Sequence, residues 1–291
     1  MFRSWFTKLA LALIVSVRAF SAEALQPAYY LQGIDNTHTS FRIIVKVHSK
    51  EIAQLKNVRA QVEYAPLHSS TSPQTTPMRM YAFGYDKGVP YLSLPVTGLQ
   101  ETTMYRARLN VYNLNGVHLG SSSYYYTTTT GDNPKSIIRN RMVLKGLREF
   151  YDSELGLVGK GGTVAVDGTR YGADVGEAWC SEFYSWVGTG YLKNIKGISN
   201  FNGLMEFFRK AGGLSNRSAI PTVARRGDYL AMDTDEVQGT NHSGMFLAYE
   251  KVGKDEFVWT LEGNSGKKIR VNRRPLNKVF TGLGHIMASQ F

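Results

Sequence analysis

The sequence predicts two folded units of different class: an all-β sandwich over residues 25–130 and an α+β unit over residues 137–291. Three observations predict it. Residues 26–130 read as short β-branched and aromatic segments separated by turns, residues 131–136 form a turn-rich linker, and beyond it apolar residues recur first at helical and then at strand spacing. A hydrophobic content of 43% with 12% aromatics in 291 residues is enough to fill such cores.

Residues 1–24 have the composition of a signal peptide, with Arg3 and Lys8 ahead of the apolar run Leu9–Val17 and small residues at Ala19, Ser21, Ala22 and Ala24. The apolar run is short for a membrane span, so cleavage is expected to leave an exported protein, periplasmic or extracellular, without stable membrane insertion. An uncleaved N-terminal anchor is the alternative. The formal charge of +11 favours anionic partners. Its basic residues are spread along the chain, densest at Arg225-Arg226 and from Lys267 to Arg274, with no nucleic-acid reading motif or aromatic stacking platform. Nucleic acid is therefore not expected as a partner.

In the first unit the strand segments are Phe41–Val47, Val58–Tyr64, Tyr91–Leu94, Tyr105–Tyr112 and Ser123–Thr127, with turn signals at Asp86-Lys87-Gly88 and Asn113–Gly116. A sandwich of about seven strands fits this spacing. The stretch Leu99–Leu109, with Leu99, Thr103 and Tyr105 followed by an alternating strand and a closing Thr-rich run, resembles the second half of a fibronectin type III domain. That resemblance implies an immunoglobulin-like sandwich in which Tyr105 is a tyrosine-corner residue whose hydroxyl ties back to the preceding turn. His38, His48, His68 and His118 show no metal-ligand spacing, and the unit is expected to act as a spacer.

In the second unit Ser136 is placed to cap a helix whose apolar face is Ile137, Met142, Leu144, Leu147, Phe150 and Tyr151. A glycine-rich loop, Gly156–Gly176, leads to a second helix opened by Cys180, and Asn202–Ala211 reads as a third. Strands are expected at 228–232, 242–249, 256–261, 268–271 and 284–287.

Cys180 is the only cysteine, so an intramolecular disulfide is impossible. In an exported protein an odd cysteine points to an intermolecular bridge or a reactive thiol. Cys180, Phe183, Tyr184 and Val187 share one helix face with Cys180 in the first turn, where the helix dipole favours the thiolate. The same spacing also suits a buried core cysteine, and the helix pattern alone leaves both readings open. A thiolate nucleophile requires a histidine, and the histidine a polar group on its other ring nitrogen. His242 stands at a strand entry and satisfies the first requirement; His285, inside the last strand, reads as structural. Glu262 and Asn264 share a strand face if extended pairing persists, and either could orient the imidazole.

Trp179-Cys180-Ser181-Glu182-Phe183, Arg226-Gly227-Asp228-Tyr229-Leu230, His242-Ser243-Gly244-Met245-Phe246 and Glu262-Gly263-Asn264-Ser265-Gly266 resemble, in order, the motifs of the CHAP family. These are papain-like cysteine amidases and endopeptidases of peptidoglycan, similar to the NlpC/P60 peptidases. The resemblance implies Cys180 as nucleophile, His242 as base, Glu262 as orienting acid, Asn264 as a further polar partner, and Asp228 as a structural turn residue. It implies a secreted hydrolase cutting peptidoglycan either between N-acetylmuramic acid and L-alanine or within its peptides, with no metal or cofactor. Asp167-Gly168 with Glu182 echoes the calcium site of some relatives but offers too few oxygens for such an ion. Trp179, Trp186 and Tyr171 could line a substrate groove or fill the core. The alternative function is a non-catalytic envelope-binding or adhesion protein built on the same fold.

Overall fold

The computed structural model describes residues 25–27, 36–69, 72–154, 168–234 and 241–291. The expected signal peptide, Asp167 and much of the glycine-rich loop lie outside the described residues. The described fold is β-rich, with three antiparallel sheets. No helix among the described residues is long and apolar enough to cross a membrane.

The first half comprises β1 (Leu25–Pro27), β2 (Ser40–Val47), the short helix α1 (Lys50–Ala53), β3 (Asn57–Pro66), β4 (Gln74–Thr75), β5 (Arg79–Ala82), β6 (Gly84–Asp86), β7 (Val89–Thr97), β8 (Met104–Tyr112), β9 (His118–Ser121) and β10 (Tyr125–Thr128). One sheet has the order β1-β2-β7-β6; the other runs β10-β8-β3-β4, with β5 also paired to β3 and β9 to β8. Period-two alternation turns Val58, Ala60 and Val62 of β3, Leu92, Leu94 and Val96 of β7, and Ala107, Leu109 and Val111 of β8 inward. The two sheets meet at Phe41, whose ring lies 5.9 Å from that of Tyr105 and 6.4 Å from that of Tyr125. The Gln100 backbone N–H donates to Tyr105 Oη at 2.9 Å, which ties the β8 entry to the turn before it. Strands β4, β5, β6 and β9 were not legible in the sequence: they are short and largely exposed, and carry no buried alternation.

The second half begins with α2 (Pro134–Glu154), earlier than the expected start at Ser136. Asn133 caps it, its Oδ1 accepting the Ser136 N–H at 2.8 Å, and Pro134 sits at the first helical position, where a missing N–H costs nothing. Ser136 is thus no cap; its hydroxyl accepts from Arg226 Nη2 at 2.9 Å. The remaining elements are α3 (Cys180–Gly188), α4 (Phe201–Lys210), β11 (Leu214–Asn216), α5 (Ile220–Val223), β12 (Tyr229–Asp233), β13 (Asn241–Val252), β14 (Asp255–Glu262), β15 (Arg270–Pro275), α6 (Leu276–Val279) and β16 (Phe280–Gly284). Their sheet has the order β11-β16-β12-β13-β14-β15. The last strand ends at Gly284 instead of starting there, because Gly282, Leu283 and Gly284 pair with Ala231, Leu230 and Tyr229 of β12. Beyond it His285 Nδ1 meets Asp228 at 2.7 Å, and Asp228, fully buried, also receives Arg139, the Ile286 N–H and the Arg225 N–H. His285, expected inside the last strand, lies just beyond it and pairs with Asp228.

One apolar core runs through both halves. Tyr125 of β10 stacks on Tyr151 of α2 at 5.5 Å, and Tyr126 lies 6.2 Å from Trp259 of β14.

Candidate active site

Helix α3 packs on β13 and β14 and presents its N-terminus at their His242 and Glu262 ends. Cys180 is the first residue of α3, whose N-cap Trp179 makes no side-chain cap, so the Cys180 N–H at the helix start is placed toward the site while the Phe183 N–H bonds the Trp179 carbonyl. Cys180 is buried, shares a cavity lining with His242, and is influenced by His242, the Ser243 backbone and the Ser181 side chain. Burial pushes its thiol up, but the hydrogen bond and charge of His242, with those from Ser243 and Ser181, outweigh burial and hold it below the usual thiol value.

His242 Nε2 lies 3.0 Å from Glu262 Oε2. The antiparallel register explains the meeting: Gly244 pairs with Glu262, and the period of two puts His242 on the same sheet face as Gly244. A Cβ at Gly244 would stand 3.2 Å from Glu262 Cγ and 2.6 Å from Met232 Cε, so glycine here leaves room for the carboxylate. With Nε2 committed to Glu262, Nδ1 is the ring nitrogen left for the thiol. Burial lowers the imidazole, yet the hydrogen bonds and charges of Cys180 and Glu262 prevail and raise it to about 9. The pair is therefore biased toward thiolate and imidazolium.

Glu262 is fully buried and held by four hydrogen bonds from three residues. Arg274 donates through Nε to Oε1 at 2.5 Å and through Nη2 to Oε2 at 2.6 Å, Thr260 Oγ1 donates to Oε1 at 2.5 Å, and His242 occupies Oε2. Burial favours the neutral acid, but Arg274 and His242 more than offset it and pull the carboxyl down to about 2. Arg274 was missed in the sequence. The basic run around it was visible, but the β14–β15 register sets Arg270 opposite Glu262, and Arg274, paired with Val258, reaches the carboxylate diagonally along the strands.

Asn264 stands elsewhere than the alternation predicts. Strand β14 ends at Glu262, and Asn264 adopts a left-handed conformation, φ 56°, in the turn beyond. It lines a cavity of about 370 Å³ together with Cys180, His242, Asn241, Ser265 and Arg274, and among the described residues no hydrogen bond joins it to His242. Of the two orienting candidates, Glu262 makes the contact. Gly263 between them permits the strand end to approach α3: a Cβ there would lie 2.5 Å from Phe183 Cβ and 2.8 Å from Trp179 Cζ3.

The hydroxyls of Ser181 and Tyr229 meet Ser243 Oγ at 2.8 and 3.0 Å, fixing α3 to β13 beneath the thiol. Trp179 and Tyr171 are buried, and Tyr171 lies 5.3 Å from the rings of both Trp179 and Trp186. These aromatics form the core behind Cys180 rather than a groove wall. Glu182 is buried too; one carboxyl oxygen has no partner among the described residues, and burial raises its carboxyl. Away from this site, the fold brings ligand atoms of His38, Glu101 and Asp132 within 4.8 Å of one another, a grouping that sequence spacing did not reveal.

No family model matches the sequence, and no curated protein matches it. Among solved structures, the sensor domain of the anti-sigma factor RsgI4 from Pseudobacteroides cellulosolvens is similar at 18% identity and a TM-score of 0.25, over 36% of this chain and 91% of that one. A solution structure of the same sensor domain gives 18% identity and a TM-score of 0.26, over 39% and 80% of the two chains. Astrotactin-2, a vertebrate-specific perforin-like membrane protein, is similar at 12% identity and a TM-score of 0.26, over 87% of this chain and 47% of that one. At TM-scores this low the likenesses define no shared fold.

Proposed function

We propose that the chain is a secreted cysteine hydrolase of peptidoglycan amide bonds, with a CHAP-like, papain-like catalytic unit behind a fibronectin type III-like sandwich. The observation that carries this reading is the convergence of Cys180 and His242 on one cavity with Glu262 hydrogen-bonded behind the imidazole, the thiol standing at a helix N-terminus with no side-chain cap. The ordered motifs around these residues, the signal-like residues 1–24 and the charge of +11 support the substrate class.

In this mechanism His242 takes the Cys180 proton and the thiolate attacks the amide carbonyl carbon. The backbone N–H groups at the start of α3 stabilise the oxyanion. As the C–N bond breaks, the imidazolium gives its proton to the leaving amine, and water, deprotonated by His242, then hydrolyses the thioester. Glu262 keeps the imidazole in one tautomer and orientation, and Arg274 positions Glu262.

Digestion of purified sacculi, followed by mass spectrometry of the released fragments, tests the reading and identifies the bond. New amine termini should appear, and Cys180→Ala should reduce their rate by about a thousandfold or more. Equal activity in the mutant would remove Cys180 from the chemistry. An envelope-binding protein without catalysis would release nothing, and its thiol would resist alkylation at neutral pH.

A further inference from the structure

A second cavity, of about 500 Å³, opens where the two halves meet, away from the thiol: it lies on the Phe246–Tyr249 stretch of β13, whereas Cys180 faces that strand's His242 end. Arg226 lines it. This arginine is 8% exposed and among the described residues has no carboxylate partner: Nη2 donates to Ser136 Oγ at 2.9 Å, and Nε is buried with no hydrogen-bond partner among them. The acids close to it in sequence and space are committed elsewhere. Asp228 is saturated by Arg139, His285 and two backbone N–H groups, and Asp132 pairs with His38 at 2.8 Å. Burial, together with the nearby charge of Arg139, pushes the Arg226 guanidinium down to about 10.

A buried cation without a counter-charge is costly, and an anion entering the cavity would relieve that cost. The remaining wall suits such a guest. Lys135 and Arg225 bring two more cationic groups to the exposed rim, while Phe246 and Leu247 supply an apolar floor. We propose that this junction cleft is an oxyanion-binding site, taking the carboxylate or phosphate group of a small ligand onto Arg226, with Lys135 and Arg225 at its mouth. Occupancy would join residues of the sandwich side, Thr102 and Thr103, to those of the second half.

Isothermal titration calorimetry of the full chain with inorganic phosphate and, separately, succinate, at ionic strength matched with sodium chloride, tests the site. Saturable binding of at least one is expected; phosphate alone identifies a phosphate group, succinate alone a carboxylate. Arg226→Gln should weaken that binding by about tenfold or more, and the double variant Lys135→Ala with Arg225→Ala by roughly tenfold, whereas Lys210→Ala on α4 should leave it unchanged. Should Arg226→Gln not fold, the rim double variant decides. The proposal is overturned if neither probe binds saturably, if sodium chloride reproduces the signal, or if the rim variant binds as the wild type does.

Discussion

At the scale of single residues, the site depends on how two buried charges are held against desolvation. Glu262 stays ionised because Arg274 and His242 surround it, and His242 stays protonated because Glu262 and the thiolate do the same for it. Activity that needs the thiolate and imidazolium together should rise as Cys180 loses its proton and fall as His242 loses its own near pH 9. Glu262→Gln removes the counter-charge while keeping the side chain's size, so the alkaline limb should move to lower pH and kcat should fall by about ten- to a hundredfold; a pH–rate profile of kcat/KM on muropeptides measures both. An unmoved alkaline limb would mean that Glu262 does not set the imidazole's proton affinity. The same charges tie stability to pH. Because the Glu262 carboxyl is lowered on folding, its contribution is complete above its ordinary value of 4.5 and is lost as pH falls toward about 2. Because the His242 imidazole is raised, its contribution is present below 6.5 and is lost as pH rises through about 9.

At the scale of elements, the site is a contact between one helix end and two strand ends, and glycine sets its closeness. A methyl group at Gly263 would collide with Phe183 and Trp179, which flank Cys180 in the same helix, so α3 must shift from β14 for alanine to fit. Gly263→Ala should therefore destabilise the fold by about 1–3 kcal/mol and reduce kcat more than it alters KM, because the sulfur moves relative to His242 while the cavity's polar rim stays in place. Urea unfolding and steady-state kinetics on one preparation test this; a stable variant with wild-type kcat would show that the approach of α3 to β14 is not what places the thiol. A corresponding test on the other side of Glu262 is Arg274→Gln, which leaves that carboxylate buried without its bidentate partner and should cost about 3–5 kcal/mol in the same urea experiment. The elements themselves were largely readable. Helix α3 opens at Cys180 and α4 at Phe201 because their apolar spacing is strong, and β13 and β14 fall where long apolar strands were expected. What could not be read were the ends that depend on partners. Asn133, not Ser136, caps α2, since Ser136 is claimed by Arg226 from a distant part of the chain. The Glu262–Asn264 alternation failed because the strand ends at Glu262 and Asn264 turns left-handed, an ending that the cluster Gly263-Asn264-Ser265-Gly266 signals in the sequence. Arg274 and the Ser181–Ser243–Tyr229 hydroxyls were hidden as the Ser136–Arg226 contact was, each a long-range contact fixed by tertiary packing rather than by neighbours in sequence.

At the scale of the whole molecule, a continuous core couples the sandwich side to the half that carries Cys180. The coupling is concentrated at Tyr151: its ring stacks on Tyr125, and its hydroxyl accepts the Tyr126 backbone N–H. Beyond residues 1–24 the tryptophans are Trp179, Trp186 and Trp259, all in the second half, so tryptophan fluorescence reports that half while far-ultraviolet circular dichroism reports both. The two signals should coincide in thermal unfolding of the wild type, because neither half can expose its side of the junction without opening the shared core. Tyr151→Phe keeps the stacked ring and loses only the hydroxyl's hydrogen bonds, from the Tyr126 N–H and to the Tyr124 carbonyl, so it should cost about 1 kcal/mol and leave the transitions coincident. Tyr151→Ala removes the ring as well, opens a cavity between the halves and should cost about 3–5 kcal/mol. In that variant the fluorescence and dichroism transitions should separate, with the half that carries Cys180, and the activity proposed for it, persisting on the fluorescence curve. If the two signals already diverge in the wild type, the junction is not a cooperative link and the halves melt as independent bodies. If they still coincide in Tyr151→Ala, the coupling is carried instead by Tyr126, packed on Trp259 and Phe150.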